Sequence, residues 1–208
     1  MKRLIDGVCQ FQNRVFPAMR SQFEALAACQ KPSTLFITCA DSRIDPSLIT
    51  QTAPGEIFVH RNPGNLVPRF QNASGGEAAS IEYAICVLGV QDVVICGHSQ
   101  CGAVAGLARP ESIADLDHVA HWLEHAKESE RISEPLDVLP ESDDPLLGLA
   151  ARNVVVQLDH LSGYPFVKER VASDNLKLHA WVYVIETGEI GVYQPTEERF
   201  VRAASLAV

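Results

Sequence analysis

Three residues in two short polar segments have the types and spacing expected of a metal site. Cys39 lies in the segment 39–43 (CADSR), whereas His98 and Cys101 lie in the segment 97–102 (GHSQCG). Two thiolates and one imidazole suit Zn²⁺, and a set of three protein ligands leaves a fourth position open to water or substrate. An open position is typical of a catalytic zinc site rather than a structural one.

Other roles for the cysteines remain open on the sequence alone. Cys96 could be a fourth ligand and close a structural site, but a lone cysteine is more often a small buried hydrophobe. We assign that role to Cys29, Cys86 and Cys96. Cys39 could be a papain-like nucleophile, although no second motif supports this alternative. A phosphatase-type loop needs an arginine six residues after Cys39, and Asp45 stands there.

Asp41 and Arg43 favour catalysis, because a structural zinc site needs neither residue. Arg43 can hold Asp41 in a bidentate ion pair, which lowers the pKa of the carboxyl group and keeps it ionised. A fixed carboxylate beside an open zinc position can accept a hydrogen bond from zinc-bound hydroxide and orient its lone pair toward an electrophile. Asp41 could alternatively bind the zinc itself and block the site.

Hydrophobic runs predict the strands that position these segments. Residues 34–39, 57–61 and 92–97 are apolar without alternation, which is typical of parallel strands buried on both faces. A helix is predicted between the last two runs, and an alternating strand at 177–186 leads through a hairpin turn into 190–193. Ligands bind beyond the carboxyl ends of parallel strands, so both polar segments should meet at one edge of the sheet.

These elements predict an α/β fold. Its central sheet is mostly parallel, with about four parallel strands plus an antiparallel edge strand, and helices flank it. Residues 31–208 are predicted to form this single zinc-binding catalytic domain. Residues 1–30 carry apolar side chains at helical spacing, with Pro17 as the expected break, and predict a helical arm. An appended amphipathic arm is a common dimerisation device.

The polar segment 111–131 predicts a helix that carries three histidines roughly on one face, His118, His121 and His125. The spacing of His121 and His125 could chelate a metal ion. The favoured interpretation is a solvated helix face, because no cysteine or carboxylate converges on it by sequence.

Composition excludes several classes of protein. The 208-residue chain has 17 Lys and Arg against 26 Asp and Glu, which gives a net charge of −9. This charge argues against nucleic-acid binding and against docking to anionic membranes. No apolar run approaches the ~20 residues that span a bilayer, and we recognise no secretory signal. Six cysteines without such a signal predict reduced thiols or metal ligands, and a location in the cytoplasm.

Four segments in order closely resemble the β-class carbonic anhydrases. They are 39–43 (CADSR), 60–68 (HRNPGNLVP), 79–83 (ASIEY) and 97–102 (GHSQCG), and the segment 178–183 (LHAWVY) is similar to the family's C-terminal strand. The resemblance implies an α/β fold with a parallel sheet, and a homodimer or higher homo-oligomer. It also implies one Zn²⁺ per subunit bound by Cys39, His98 and Cys101, with Asp41 and Arg43 as a catalytic dyad.

The implied reaction is the reversible hydration of CO2 to bicarbonate and a proton by zinc-bound hydroxide. Two thiolates donate more charge to the metal than imidazoles do, so activity should rise with pH. We expect the backbone N–H of Gly102 to donate to the bound oxygen, and Phe58 and Val59 to line the CO2 pocket. Tyr83 and His60 are candidate members of a proton relay.

Two alternative functions remain open on the sequence. The same residues could hydrolyse a CO2 analogue such as COS or CS2. The chain could also be a non-catalytic zinc protein for sensing or scaffolding in inorganic carbon metabolism, including as a subunit of a carbon-fixing compartment in the cytoplasm. The acidic loop from Asp137 to Asp144 and the helical arm would then be partner surfaces. One bacterial branch of the family has a regulatory bicarbonate pocket with a tryptophan three residues before the first cysteine; here Phe36 stands there.

Overall fold

The fold is taken from a computed structural model that describes residues 1–131, 136–138 and 142–206. The acidic loop considered above therefore lies partly outside the described residues, at 139–141. The chain divides into two compact units, Met1–Lys31 and Pro32–Val208. Among the described residues, none of the helices combines the length and the apolar character needed to cross a bilayer.

The first unit is helical. Its helices are α1 (Lys2–Gln10), α2 (Phe16–Ala18) and α3 (Arg20–Ala28), and a π-helical turn joins α1 to α2. Phe16 stacks on Phe23 at 5.5 Å between ring centroids, and Phe11 contacts both rings edge-on. Pro17 lies in the first turn of α2, between the π-helical turn Phe11–Val15 and the non-helical backbone of Met19, so the helix is irregular around the predicted break.

The second unit is built on one six-stranded sheet. Its strands are β1 (Thr34–Cys39), β2 (Ile57–Asn62), β3 (Asp92–His98), β4 (Lys177–Tyr183), β5 (Ile190–Gln194) and β6 (Arg199–Arg202). The strand order is β2-β1-β3-β4-β5-β6. The first four strands in this order are parallel, as predicted, and β5 and β6 are antiparallel. The antiparallel part thus contains two strands rather than one.

Burial follows the position of each strand in the sheet. β1 and β3 are central, and nearly all of their residues are buried, because apolar clusters pack on both faces of the sheet. β2 is an edge strand, and most of its side chains are half-buried or exposed, so the predicted burial on both faces is wrong for this strand. The unbroken apolar runs of the two central strands are therefore explained by burial on both faces.

Helices cover the two faces of the sheet. They are α4 (Pro46–Thr50), α5 (Gly75–Glu82), α6 (Gly102–Ala108), α7 (Asp117–Leu123), α8 (Glu128–Arg131), α9 (Leu147–Ser162) and α10 (Pro165–Ala172). α9 crosses β3 very closely, since a Cβ atom at Gly97 would lie 2.7 Å from Val154 Cγ2. A glycine is therefore required at this point of the strand.

Further details of the structure differ from the sequence predictions. The helix predicted at 111–131 is not continuous. It consists of α7 and α8, with one 3₁₀ turn before α7 and another between the two helices. β6 was not predicted. Cys29 and Cys86 are exposed and not buried hydrophobes: Cys29 is the extended residue that follows α3, and Cys86 lies in the π-helical segment Tyr83–Leu88. Cys96 is fully buried in the central strand β3, as expected.

Candidate metal centre

Sheet register brings the two polar segments together. β1 and β3 are neighbours, with Thr38 opposite Cys96, so Cys39 and His98 both lie at the carboxyl end of the sheet. The chain then turns at Gln100, which has a positive φ of 55°, and Cys101 caps the start of α6. Cys39, His98 and Cys101 are all buried there.

The three candidate ligand atoms form one compact group. Cys39 Sγ lies 3.8 Å from Cys101 Sγ, and both sulfurs and a nitrogen of His98 lie within 4.8 Å of one another. Cys96 does not belong to this group; its thiol is buried next to the carbonyl of Gly97. The closed site with Cys96 as a fourth ligand is therefore not the arrangement that the described residues form.

The ring of His98 is oriented for metal binding. His98 Nδ1 lies 2.8 Å from the carbonyl oxygen of Ser99, which can only accept, so Nδ1 carries the proton. The lone pair is then on Nε2, and this buried atom has no hydrogen-bond partner among the described residues. A buried polar atom without a partner is costly unless a ligand satisfies it.

The two thiols form a coupled pair. A hydrogen bond with the Cys101 thiol lowers the pKa of Cys39 to about 4, although burial opposes the shift. The same hydrogen bond, together with burial and the Cys39 charge, raises the pKa of Cys101. The shared hydrogen bond thus favours negative charge on one sulfur and opposes it on the other. A divalent cation between them would stabilise both sulfurs as thiolates.

These donors fit zinc. Two sulfurs bound to one tetrahedral zinc at about 2.3 Å each lie about 3.8 Å apart. The separation of the Cys39 and Cys101 sulfurs is 3.8 Å. The unsatisfied Nε2 of His98 supplies the third donor. The fit to zinc thus rests on the distance between the two sulfurs and on the unpaired Nε2 of His98. Three protein donors leave one of the four zinc positions for a non-protein ligand.

Asp41 and Arg43 form a bidentate ion pair beside this group. Arg43 Nε donates to Asp41 Oδ1 at 2.9 Å, and Nη2 donates to Oδ2 at 2.7 Å. The hydrogen bonds from Arg43 hold the pKa of the Asp41 carboxyl well below its usual range. Asp41 Oδ2 lies 4.0 Å from His98 Nε2, so an ionised carboxylate faces the three donors.

Two residues of the segment 60–68, for which no role at the metal site was predicted, hold the loops around Cys39. Arg61 donates to the carbonyl oxygens of Cys39, Asp41 and Ile44. The backbone N–H of Gly64 lies 3.4 Å from Cys39 Sγ, where it stabilises negative charge on the sulfur.

A buried polar network on α9 fixes the position of Gly64. Asn153 donates to the Gly64 carbonyl at 3.0 Å, and Gln157 accepts from the Val67 N–H at 2.8 Å. Both side chains are buried. The signal that could have revealed them is the spacing of two amides, four residues apart, within an otherwise apolar helical pattern.

The remaining predicted site residues lie farther out. Gly102 is the first residue of α6, directly after the third candidate ligand. Phe58 and Val59 pair with Leu35 and Phe36, three to four residues before Cys39, which corresponds to about 10–13 Å along the strand. Within this chain they do not meet the three donors, and their role in the CO2 pocket stays a prediction.

Tyr83 and His60 also lie away from the donors. Tyr83 is exposed, and its ring contacts that of Phe58 at 6.2 Å between centroids. His60 lies 3.5 Å from the side-chain amide of Asn62, and burial lowers the pKa of its imidazole. Their part in a proton relay is likewise still a prediction.

The three histidines of the 111–131 segment do not form a second metal site among the described residues. His125 instead packs edge-on against Trp122, with ring centroids 5.3 Å apart. The indole N–H of Trp122 in turn donates to the carbonyl of Pro63 at 2.7 Å.

Comparison with known proteins decides the family. A family model described as Carbonic anhydrase matches residues 34–190. The chain belongs to the carbonic anhydrase family. It is 46% identical over 191 residues to a carbonic anhydrase of Synechococcus elongatus, covering 91% of this chain and 70% of that protein. It is 43% identical over 204 residues to one of Pseudomonas aeruginosa, covering 98% of this chain and 92% of that protein.

Solved structures place this carbonic anhydrase in the β-class, as the sequence motifs predicted. The structure of the β-carbonic anhydrase CcaA superimposes with a TM-score of 0.90 at 39% identity, covering 97% of this chain and 91% of that one. The β-carbonic anhydrase CafA of Aspergillus fumigatus gives 0.78 at 27% identity, covering 95% and 93%. The predicted class and the parallel α/β fold are thus confirmed.

Proposed function

We propose that this chain catalyses the reversible hydration of CO2 to bicarbonate and a proton, with Zn²⁺ held by Cys39, His98 and Cys101. One observation carries the proposal. The buried Nε2 of His98 has no hydrogen-bond partner among the described residues, yet it faces two thiols whose sulfurs are 3.8 Å apart. Membership of the carbonic anhydrase family supports CO2 as the substrate.

Each protein group has a distinct task in this reaction. When bound, zinc supplies the Lewis acidity that makes water a nucleophile near neutral pH. The carboxylate of Asp41, kept ionised by Arg43, accepts a hydrogen bond from the reacting water and fixes its remaining lone pairs toward the carbon of CO2. The Gly64 N–H and the Ser99 carbonyl orient the donor atoms of Cys39 and His98.

The substrate side of the site is proposed from the predicted residues. The N–H of Gly102 lies at the first position of α6 and donates to the substrate oxygen. Phe58 and Val59 form apolar walls for CO2, and Tyr83 with His60 passes the product proton to solvent. Tyr83 is exposed, which suits a group that exchanges protons with water.

The state and location of the protein are part of the same proposal. We expect a homodimer or a higher homo-oligomer that uses the helical arm. The tetrameric β-carbonic anhydrases of Sordaria macrospora support this expectation, because this chain matches one of their structures at 30% identity and a TM-score of 0.64. The six cysteines are free thiols, which supports a reducing compartment such as the cytoplasm.

Stopped-flow measurement of CO2 hydration tests the proposal. Zinc-loaded protein should accelerate hydration far above the buffer rate, and the rate should increase toward alkaline pH, because two thiolates make the metal a weaker acid than three imidazoles would. Hydrolysis of COS is followed in parallel. A rate no higher than that of the buffer at alkaline pH, or faster hydrolysis of COS than hydration of CO2, would contradict the proposed function.

A further inference from the structure

Asp144 connects the start of α9 to the turn between two candidate zinc ligands. One carboxylate oxygen, Oδ1, accepts from the backbone N–H of Leu146 at 3.0 Å. The other, Oδ2, accepts from the backbone N–H of Gln100 at 2.6 Å. Gln100 lies between His98 and Cys101, so this carboxylate reaches into the metal-binding segment from a part of the chain 44 residues away.

Gln100 adopts a backbone conformation that needs an external restraint. Its φ is +55°, in the left-handed region that residues with a Cβ atom rarely occupy. Such residues persist where the surrounding structure holds them in place. The short hydrogen bond to Asp144 is a restraint of this kind, because it fixes the direction of the Gln100 N–H.

The same peptide segment holds the arginine of the dyad. The Gln100 carbonyl accepts from Arg43 Nη2 at 2.9 Å, and its side-chain Oε1 accepts from Nη1 at 3.4 Å. Arg43 is 44% exposed. Apart from Asp41, Gln100 is the residue to which its guanidinium donates within the described chain. A change in the Gln100 backbone would therefore release one side of Arg43.

We propose that Asp144 is a positioning residue for the reaction: it locks the left-handed Gln100, whose carbonyl holds Arg43 against Asp41. The inference rests on the proposed function, since it assigns a role to groups of that site. Asp144 touches neither the three donors nor Asp41 directly. Asp144 instead increases the fraction of time in which Asp41 and Arg43 have the geometry needed to orient the reacting water.

The test compares Asp144→Ala with Asp143→Ala. Asp143 is the matched control, because it is the adjacent aspartate, is exposed and makes no hydrogen bond or ion pair within the described chain. We expect Asp144→Ala to lower kcat about 10- to 100-fold with KM within about twofold, as losses of groups behind a metal site commonly do. Zinc content should stay at one per chain, and Asp143→Ala should match the wild type.

A conservative variant separates positioning from charge. Asp144→Asn removes the charge but retains one acceptor oxygen. This oxygen can accept from the Gln100 N–H, so most of the kcat lost in Asp144→Ala should return. Asp144→Ala also removes the contact to Leu146, so its melting temperature is measured and kcat is compared well below it.

Hydrogen–deuterium exchange provides a readout that does not depend on turnover. In zinc-loaded protein, the Gln100 amide should exchange faster in Asp144→Ala than in the wild type and in Asp143→Ala. The inference is overturned if Asp144→Ala, folded and zinc-loaded, has the kcat and the Gln100 exchange rate of Asp143→Ala. An inactive wild-type protein would instead contradict the proposed function, and the inference with it.

Discussion

Two clusters in the second unit use the same three residue types but differ in what they can bind. Each contains an arginine, a carboxylate and a histidine. The Asp41 cluster consists of Asp41, Arg43 and His98, and the Glu128 cluster consists of Glu128, Arg69 and His160. In both, the guanidinium binds both oxygens of the carboxylate through Nε and Nη2.

The histidines of the two clusters are oriented in the same way. Nδ1 of His98 and Nδ1 of His160 each lie 2.8 Å from a backbone carbonyl oxygen, so in both rings Nε2 is the nitrogen turned toward the carboxylate. His160 Nε2 has Glu128 Oε2 at 3.4 Å. The equivalent distance from His98 to Asp41 is 4.0 Å, and two sulfurs stand opposite instead.

The difference lies in the thiols rather than in the ion pair. An Arg–carboxylate–His arrangement by itself ties segments of the fold together, as the Glu128 cluster does between α8, α9 and the loop that carries Arg69. Adding Cys39 and Cys101 turns the same arrangement into a set of soft donors suited to zinc. The carboxylate is then left beside the metal position, where it can orient a reactant.

Removal of one thiol should have the largest effect, because it takes away one of the two sulfur donors that distinguish the surroundings of the Asp41 cluster from those of the Glu128 cluster. Cys101→Ala is expected to lose nearly all zinc and to hydrate CO2 at the buffer rate. Cys96→Ala, a buried thiol outside the donor group, is the control and should keep one zinc per chain. Metal analysis and stopped-flow kinetics measure both. Full zinc retention by Cys101→Ala, or zinc loss by Cys96→Ala, would show that the donor set is wrong.

Exchange of each carboxylate for its amide separates the two clusters by function. Asp41→Asn should keep zinc and lower kcat by about 100-fold or more, because a misoriented reactant loses the benefit of positioning. Glu128→Gln should leave kcat and zinc content unchanged, since the Glu128 cluster faces no metal donors. Kinetics of zinc-loaded proteins test this pair. Equal losses of kcat in the two variants would contradict a catalytic role for the Asp41 cluster alone.

The central part of the fold and the donor set could be predicted because short-range patterns determine them. Unbroken apolar runs marked β1 and β3, and parallel neighbours necessarily place their carboxyl ends at one edge. Cys39 and His98 follow directly from that placement. The Arg43–Asp41 pair could also be anticipated, because the two residues are only two positions apart.

The supporting contacts could not be predicted, because they join residues far apart in the chain. Asn153 reaches Gly64 across 89 positions, and Asp144 reaches Gln100 across 44. β6 has only four residues with an arginine at each end, so its two apolar residues gave no periodic signal. The predicted helix at 111–131 failed because polar composition alone does not fix where a helix is interrupted.

The pH dependence of stability should show the structural role of the Glu128 cluster. The hydrogen bond from Arg69 outweighs burial and lowers the pKa of Glu128 from 4.5 to about 2. A carboxyl group whose pKa is lower in the folded state stabilises the protein above its unfolded pKa, and this contribution is lost as the pH falls through the folded pKa. We expect the contribution to be complete above about pH 5.5 and to decline below it.

Urea denaturation of the wild type and Glu128→Gln measures this contribution. Both side chains of the ion pair are more than 40% exposed, so solvent screening limits the difference in the free energy of unfolding to about 0.5–1 kcal/mol at pH 7. The difference should remain constant from pH 8 to about pH 5.5 and shrink at lower pH. A difference that grew on acidification would reverse the assigned sign.

The smallest effect is expected at Asp159, a second carboxylate that contacts Arg69 of the Glu128 cluster. Its Oδ2 lies 3.4 Å from Arg69 Nη2, and its side chain is 67% exposed. An ion pair that is long and open to water contributes little, so Asp159→Asn should change the free energy of unfolding by less than about 0.5 kcal/mol. Urea denaturation of Asp159→Asn and Glu128→Gln under the same conditions shows which variant loses more free energy of unfolding. A larger loss in Asp159→Asn would mean that Arg69 depends on the outer carboxylate, and that the bidentate pair with Glu128 is not what stabilises the cluster.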